Sequence, residues 1–559
     1  MDAPVSQKQA RYQLVEQHRD LIQSAIEAVD RRHAWSPFSD SPSTKVHGPQ
    51  KPAAGKTAFE THLGQRFELN LPGVIDWVGA ETSPYTCQSL GITYERCEPE
   101  ALIAAAESGW DNWAKAEPEL RIALCTEMAL RLYEANFEMA HAIMHVAGQS
   151  YTQAFSGSGP NALDRGIEAL AYAAKSMNDV ARTARYERRF AGEKVVLDKT
   201  YALVPRGIGL VICCASFPTW NAYPAMFASL ATGNPVILKP HPIAILPMAI
   251  VARECRKVLS DYGFDPELIT LAVDTLTDPV AQVFIDHPAV QIIDFTGSPR
   301  FGGYLEKTVT GKLLFTETAG VNTVVVESVD EIEPVARAIA RAACLFSAQM
   351  CTSPQVVYVA PVLHTAFGRA IVRQVNEIAD DAQIAAAIMG AIQGEVSLKA
   401  VATVRGAVQG RPGVEVLREA LPYEHSQFPQ ARTLTPLILS VEGSMPQLYA
   451  EEHFGPVLFV VKMEAEDAVK EATHLAKSKG SISSYLYSTD EAFIARSVPS
   501  YERAGANLTI NLTGAMWINF AAAYSDFHVS GLNPAGNACL TDLAFVASRF
   551  RIVQRRRPA

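Results

Sequence analysis

Residues 208–239 read IGLVICCASFPTWNAYPAMFASLATGNPVILK, and this stretch decides the fold. Its first part, 208–214, is a short continuous apolar run of the kind found in strands buried within parallel sheets. The pattern then predicts a helix over 223–232 and a second strand at 235–239. An apolar strand, a helix and another apolar strand in succession predict an α/β fold with a parallel sheet.

The same alternation continues downstream. Helical patterns cover 246–262 and 279–286, and a second α/β segment runs over 332–518. Doubly wound sheets bind ligands at the carboxyl ends of their strands, so polar residues that follow a strand are the candidates for a site. Further strands are predicted at 268–273, 291–297, 312–317 and 322–327.

The region before this sheet is predicted to be mainly helical. Residues 6–32 form an amphipathic helical pattern, and a Ser- and Pro-rich loop follows at 35–52. Helical patterns return over 100–178. Residues 186–204 alternate and carry many charges, which is typical of a partly exposed hairpin.

Length and composition exclude several classes of protein. A chain of 559 residues with 48% hydrophobic and 19% charged residues is globular, and it is long enough for two or three domains. The net charge of -10 argues against a nucleic-acid partner, and no apolar run is long enough to span a membrane. The polar start does not resemble a secretory signal. Nine scattered cysteines without the paired spacing of a zinc site indicate free thiols, no metal and a cytoplasmic protein.

Three residues have side chains suited to catalysis. Cys351 falls in a loop between a helix and a strand, although a thiol needs activation before it acts as a nucleophile. Glu317 ends an apolar strand, where partial burial favours a general base, but a helix cap or a salt bridge is an alternative role. Asn221 follows the strand that begins at Ile208, so its amide is either an oxyanion donor or an ordinary turn residue.

Two further segments have features of a phosphate or sugar site. Lys239 ends a strand, and a lysine there binds sugar hydroxyls or phosphate unless it is simply a surface residue. Gly297 and Ser298 begin a helix, and a helix N-terminus binds anions. The spacing from Gly297 to Gly302 is GxxxxG, so the usual dinucleotide fingerprint GxGxxG is absent.

Taken together, the segments around these residues resemble one family. PTWN, LKP, FTGS, ETAG.N, AQMC and EEHFGPV occur in this order across residues 218–457, and the series strongly resembles the aldehyde dehydrogenase superfamily. The similarity extends over about 109–520. Glu317 and Cys351 are 351 − 317 = 34 residues apart, which matches the spacing of base and nucleophile in that family.

The resemblance implies a role for each matching position. Cys351 corresponds to the nucleophile, Glu317 to the base that activates the hydrolytic water, and Asn221 to the oxyanion donor. The implied activity is the NAD(P)-dependent oxidation of an aldehyde to an acid through a thioester. The implied cofactor contacts are Lys239 and Glu452 at the two riboses, Gly297 and Ser298 at the pyrophosphate with Trp220 beside them, and Phe454 near the nicotinamide.

The implied architecture is aldehyde dehydrogenase-like, with two doubly wound parallel-sheet domains and a small β oligomerisation element. Its expected parts are an N-terminal helical extension and linker (1–60), an NAD(P)-binding domain (61–319) with the hairpin 186–206 in the oligomerisation element, a catalytic domain (320–518), and a C-terminal return with an oligomerisation strand (519–559). In the family that strand pairs with another subunit's sheet, so a homodimer or a dimer of dimers is expected.

Several positions depart from the family pattern. Ala348 replaces a glycine, and Ala319 and Val321 replace parts of a Gly-Gly-Lys segment. Pro242 stands three residues after Lys239, where the family usually has a carboxylate that would repel a 2′-phosphate. NADP is therefore the preferred cofactor on the sequence alone, with NAD as the alternative.

The motifs ETAGVN, SAQMCTSPQ and SGLNPAGNACLTD resemble the phenylacetic acid degradation branch of the family, PaaN type. That resemblance implies a ring-cleavage semialdehyde carried on coenzyme A as the substrate. Two alternatives stay open. One is an acylating dehydrogenase that passes the thioester to coenzyme A, which the presence of Glu317 disfavours. The other is a catalytically silent binding or structural relative.

Overall fold

The structure is a computed structural model that describes residues 7–318, 320–514, 523–525 and 543–559. Ala319 and the motif at 530–542 therefore lie outside the described residues. Within the described ranges, no helix is long and apolar enough to cross a bilayer.

The N-terminal region is helical, as predicted, and packs on its own chain. The first helix buries Leu14, Ala25 and Val29 and contacts the fifth and eighth helices. A small sheet of three short strands, in the order β1-β3-β2, was not predicted, because strands this short carry little periodicity. The elements are α1 Gln7–Arg31, α2 Thr44–His47, α3 Gln50–Glu60, β1 Arg66–Phe67, β2 Val74–Val78, β3 Thr93–Cys97, α4 Pro99–Lys115, α5 Pro118–Glu134, α6 Asn136–Ala147, α7 Tyr151–Ser156 and α8 Pro160–Asn178.

The predicted hairpin is β4 Thr183–Phe190 with β5 Glu193–Pro205, and every residue of β4 is exposed. The C-terminal tail forms a strand, and that strand pairs with the hairpin of its own chain. It runs antiparallel to β5 from the pair Phe550↔Pro205 to the pair Pro558↔Leu197. The three strands thus form a separate antiparallel sheet whose surface is largely exposed.

The quoted stretch begins a five-stranded parallel sheet with the order β10-β9-β6-β7-β8. Chain order reverses on either side of β6, as in other doubly wound sheets, and the strand interiors are buried. The elements are β6 Ile208–Ile212, α9 Ala222–Ala231, β7 Val236–Lys239, α10 Leu246–Asp261, β8 Ile269–Leu271, α11 Ala281–Asp286, β9 Val290–Gly297, α12 Pro299–Thr308 and β10 Leu313–Thr318.

The remaining strands form a seven-stranded sheet with the order β13-β14-β15-β12-β11-β16-β17. All pairs are parallel except β13 with β14, so this sheet is mixed at that edge and parallel elsewhere. The elements are β11 Asn322–Val326, α13 Ile332–Cys344, β12 Pro354–Val359, α14 Pro361–Ala379, α15 Ala382–Met389, α16 Glu395–Val408, β13 Val414–Arg418, β14 Leu437–Glu442, α17 Pro446–Tyr449, β15 Val457–Lys462, α18 Ala465–Lys479, β16 Ser484–Tyr487, α19 Glu491–Ala504, β17 Leu508–Ile510, α20 Ala544–Ala547 and β18 Phe550–Pro558.

One buried ion pair ties the end of the chain to the five-stranded sheet. The guanidinium of Arg549, which is 0% exposed, donates to both carboxylate oxygens of Asp294 on β9 at 2.8 and 2.6 Å. It also donates to Ser229 of α9 at 2.7 Å. A bidentate pair of this kind fixes orientation as well as distance, so it anchors the start of β18 beneath the sheet.

Candidate active site

The carboxyl ends of the first sheet's strands bring several predicted residues to one edge. Glu317 lies near the end of β10, opposite Thr296 of β9, and is buried. Asn221 precedes α9, is 6% exposed, and lines a small cavity together with Glu317 and Asp294. The structure therefore brings the candidate base and the candidate oxyanion donor to the same cavity.

The loop that carries Asn221 is held by hydrogen bonds from other elements. Gln149 donates to the carbonyl of Ser216 at 2.7 Å, and Gln393 donates to the carbonyl of Ala215 at 2.9 Å. Thr219 donates to the carbonyl of Ser158 at 2.6 Å. These contacts fix the loop that leads to Asn221.

Asn322, at the start of β11, fixes the loop of Cys351. Its amide nitrogen donates to the carbonyls of Cys351 at 2.7 Å and Ser353 at 3.0 Å. Its amide oxygen accepts the backbone N–H groups of Ile482 and Ser483, both at 3.0 Å. Sequence reasoning assigned no role to Asn322, although it is the last residue of the segment ETAG.N, which signalled its position.

Three consecutive non-glycine residues before this loop are left-handed. Phe346, Ser347 and Ala348 have φ of 50°, 49° and 52°. Such residues cost on the order of 1–3 kcal/mol each, so the surroundings must hold them. Ser347 donates to the carbonyls of Met389 and Leu434. The left-handed φ also explains why the family pattern has glycine where this chain has Ala348.

Cys351 is half-buried, and the pKa of its thiol is raised well above its ordinary value. Desolvation is the largest cause, and the negative charge of Glu317 comes next, followed by Cys214 and Glu452. Burial also raises the pKa of Glu452 to about 7. The thiol thus lies within electrostatic range of carboxylates from two sheets. Cys214, which sequence reasoning left out, belongs to the same cluster.

The segment of Glu452 and Phe454 is fixed by Gln355 of β12. The Gln355 amide donates to the carbonyls of Tyr449 at 3.2 Å and Glu451 at 2.6 Å, and its oxygen accepts the His453 N–H at 2.7 Å. A second cavity of about 270 Å³ is lined by Glu452, Phe454, Ala348 and Met350, among others. Glu452 and Phe454 therefore lie beside the Cys351 loop.

Lys239 and Asp274 form a buried ion pair at the carboxyl ends of neighbouring strands. The Lys239 ammonium donates to Asp274 at 2.6 Å and to the Pro240 carbonyl at 2.8 Å. Lys239 is 5% and Asp274 is 3% exposed. Sequence reasoning missed Asp274, because nothing in the local pattern links it to a lysine 35 residues earlier.

The turn before α12 has the form of an anion site. Ser298 caps the helix by accepting the N–H of Phe301 at 3.4 Å, and residues 298–300 are exposed. A Cβ on Gly297 would lie 2.7 Å from the Phe295 ring, so this position requires glycine. Trp220 is half-buried beside Asn221.

The chain matches known proteins over most of its length. The model of the aldehyde dehydrogenase family matches residues 82–522. The chain is similar to 1-pyrroline-5-carboxylate dehydrogenase of Bacillus licheniformis, with 23% identity over 86% of this chain and 92% of that protein. It is similar to the crystal structure of NAD-dependent aldehyde dehydrogenase from Burkholderia multivorans, with 39% identity, a TM-score of 0.93, and coverage of 98% of this chain and 99% of that one.

A third similarity concerns the fold alone. NADP-dependent glyceraldehyde-3-phosphate dehydrogenase from Bacillus halodurans, crystallised with NADP, is 17% identical with a TM-score of 0.68, over 88% of this chain and 100% of that chain. The extent of the family match shows that the chain belongs to the aldehyde dehydrogenase family. It is an oxidoreductase that acts on aldehydes, in a family whose members use NAD or NADP. The predicted fold class is confirmed.

Proposed function

We propose that this protein oxidises an aldehyde to the carboxylic acid, with NAD or NADP as acceptor, through a thioester on Cys351. The observation that carries the proposal is that several groups lie close enough to the Cys351 thiol to change its pKa. Among the charged groups, Glu317 has the largest effect on that pKa. In this reaction the aldehyde, one NAD(P)⁺ and one water give the acid, NAD(P)H and one proton.

The first step forms a bond between the Cys351 sulfur and the aldehyde carbon. Because the raised pKa keeps the resting thiol protonated, a base must take its proton as the bond forms. Solvent water accepts this proton and carries it away as the one proton that the reaction releases, so Glu317 is available as the base of the second step. Asn221 and the Cys351 backbone N–H stabilise the developing alkoxide, and such donors contribute about 3 kcal/mol each.

The second step releases the acid. Before this step the alkoxide carbon loses its hydrogen as hydride, for which bound NAD(P)⁺ would be the acceptor, and the thioester forms. Glu317 then deprotonates a water, which attacks the thioester carbon, and the Cys351 sulfur leaves with the returned proton. The buried position of Glu317 in the cavity that Asn221 also lines supports this role.

The residues present fit the cofactor of the family. Lys239 and Glu452 would hold its two riboses, Ser298 and Gly297 its pyrophosphate, and Phe454 would pack near the nicotinamide. The exposed N-terminus of α12, with a glycine that has no room for a side chain, is the observation that supports this fit. When bound, NAD(P)⁺ supplies the hydride acceptor.

The domain assignment and the assembly belong to the same proposal. Residues 61–319 form the NAD(P)-binding domain and 320–518 the catalytic domain, with 1–60 as an extension and 519–559 as the return. The proposed assembly is a cytoplasmic homodimer or dimer of dimers. The largely exposed three-stranded sheet supports an interface there, because its strands β4 and β18 both have an open edge among the described residues.

For the substrate we propose a semialdehyde carried on coenzyme A, from aromatic ring degradation, on the strength of the PaaN-type motifs. The substrate named for the Bacillus licheniformis relative, a carboxylate, is acidic.

The test measures NAD and NADP reduction with a CoA-linked semialdehyde, with 1-pyrroline-5-carboxylate and with a neutral aliphatic aldehyde. Cys351→Ser should lower the rate by at least about a thousandfold, because it removes the nucleophile. Cys87→Ser, which changes an exposed thiol, should keep full activity. Glu317→Gln should accumulate an acyl adduct on Cys351 that intact-mass measurement detects.

Other outcomes identify the alternatives. A product that is an acyl-CoA and depends on added free coenzyme A would show an acylating dehydrogenase. No reduction of either cofactor with any aldehyde would show a catalytically silent relative. Full activity of Cys351→Ser would remove the thioester mechanism.

A further inference from the structure

A carboxylate occurs beside Lys239 in three dimensions, although none is near it in the sequence. Lys239 ends β7, and Asp274 follows β8, the neighbouring parallel strand. Leu238 is in register with Leu271, so the two strand ends lie side by side and their side chains meet. The premise of the sequence-based preference for NADP was that Lys239 has no acidic neighbour, and this premise does not hold in the folded chain.

We infer that Asp274 supplies the carboxylate of the adenosine-ribose site and makes this protein prefer NAD to NADP. The inference rests on the proposed function, which assigns Lys239 to that ribose. The inference adds Asp274, which follows a different strand, as a residue that determines the choice between NAD and NADP.

The hydrogen bonds within the protein leave donor capacity on Lys239 and acceptor capacity on Asp274. Lys239 has three N–H donors, of which two are directed at Asp274 and Pro240. One Asp274 oxygen accepts from Lys239 and the other accepts the N–H of Val280 at 3.0 Å. Each carboxylate oxygen has a further lone pair, so Asp274 can still accept a hydrogen bond from a ribose hydroxyl.

The charges around this pair disfavour a 2′-phosphate. Such a group carries about −1.5 to −2 charge at neutral pH, whereas Lys239 is already neutralised by Asp274. His241 adds no positive charge, because burial and the neighbouring Lys239 lower its pKa to about 4. Arg96, which contacts the loop after Asp274, is ion-paired with Asp278. A like charge held near Asp274 is repelled, because Lys239 and Arg96 are both already ion-paired.

The experiment uses adenosine 5′-monophosphate and adenosine 2′,5′-bisphosphate as probes, because they occupy the adenosine site without any aldehyde or turnover. Binding of each to the full-length protein is measured by calorimetry. The wild type should bind the 5′-monophosphate at least about tenfold more tightly, as expected for one close like-charge pair. Asp274→Asn should shrink that ratio about tenfold, and Asp274→Glu should retain most of it.

A matched control removes a carboxylate from a helix that packs against the same sheet. Asp286→Asn changes an exposed residue at the end of α11 and should leave the ratio unchanged. An unchanged ratio in Asp274→Asn would overturn the inference and leave Asp274 as a structural partner of Lys239. If the wild type bound the bisphosphate as tightly as the 5′-monophosphate, or more tightly, the inference would also be overturned. This wild-type measurement tests the inference even when Asp274→Asn does not fold.

Failure of the proposed function would look different. A protein that shows the expected binding ratio but reduces neither NAD nor NADP with any aldehyde keeps the inference and loses the dehydrogenase reaction. A protein that oxidises aldehydes but discriminates against neither probe loses the inference alone.

Discussion

The two large sheets hold their parts of the site in different ways. The five-stranded sheet depends on distant segments, since Arg549 near the end of the chain pairs with Asp294, and Glu81 near its start accepts the N–H groups of Ile245 and Leu246 at α10. The seven-stranded sheet is formed by residues 322–510 alone. Its most strained point is local, in the left-handed residues before Cys351. The five-stranded sheet is thus sensitive to the chain ends, and the seven-stranded sheet to a single loop.

The largest effect on stability is expected from breaking the pair that anchors the chain end. Arg549→Met leaves the buried Asp294 carboxylate without its partner and should lower the free energy of unfolding by about 3–5 kcal/mol. Denaturant unfolding measures the loss. Arg551→Met, which changes an exposed residue on the same strand, is the control and should cost little. A loss for Arg549→Met as small as that of the control would contradict the difference drawn between the sheets.

A smaller effect is expected on the reactivity of the Cys351 thiol, which lies between the two large sheets' parts of the site. Glu317→Gln removes a negative charge that raises the thiol pKa, so the pKa should fall. Alkylation of Cys351 by iodoacetamide at a fixed neutral pH should then accelerate by up to about tenfold, the change for one pKa unit. Peptide mass spectrometry follows this cysteine alone.

The pH dependence of Cys351 alkylation tests the direction of the pKa shift. In the wild type, alkylation should still be increasing with pH at 9.0, because the raised pKa keeps the thiol protonated there. Glu451→Gln changes an exposed carboxylate beside the site and should leave the profile in place. A slower reaction in Glu317→Gln would mean that Glu317 activates the resting thiol instead of raising its pKa.

The smallest effect concerns the strained loop itself. Ala348 has φ of 52°, so Ala348→Gly should relieve strain and stabilise the protein by up to about 1 kcal/mol while activity is retained. Ala338→Gly, in the middle of α13, should have the opposite sign and cost about 1 kcal/mol. Loss of stability in both variants would show that Ala348 is held without strain.

Local patterns located the site well. The position of Cys351 in a loop and of Glu317 at a strand end followed from apolar runs that end where polar residues begin, and the structure has them there. The antiparallel edge strand β13 did not follow, because strand direction leaves no mark on a short apolar run. Asn322 could be identified from the sequence as a motif residue, but its hydrogen bonds to two separate loops could not be predicted.

The sequence by itself determined the family, the order of the first sheet's strands along the chain, and the candidate nucleophile, base and oxyanion donor. These depend on residues close together in the chain or on motifs in a set order. Only the tertiary structure decided that Asp274 meets Lys239, that Asp294 holds Arg549, and that charges from both sheets raise the pKa of Cys351. Such contacts join strand ends that are neighbours in a sheet but far apart in sequence, and Coulomb interactions depend on distance in space.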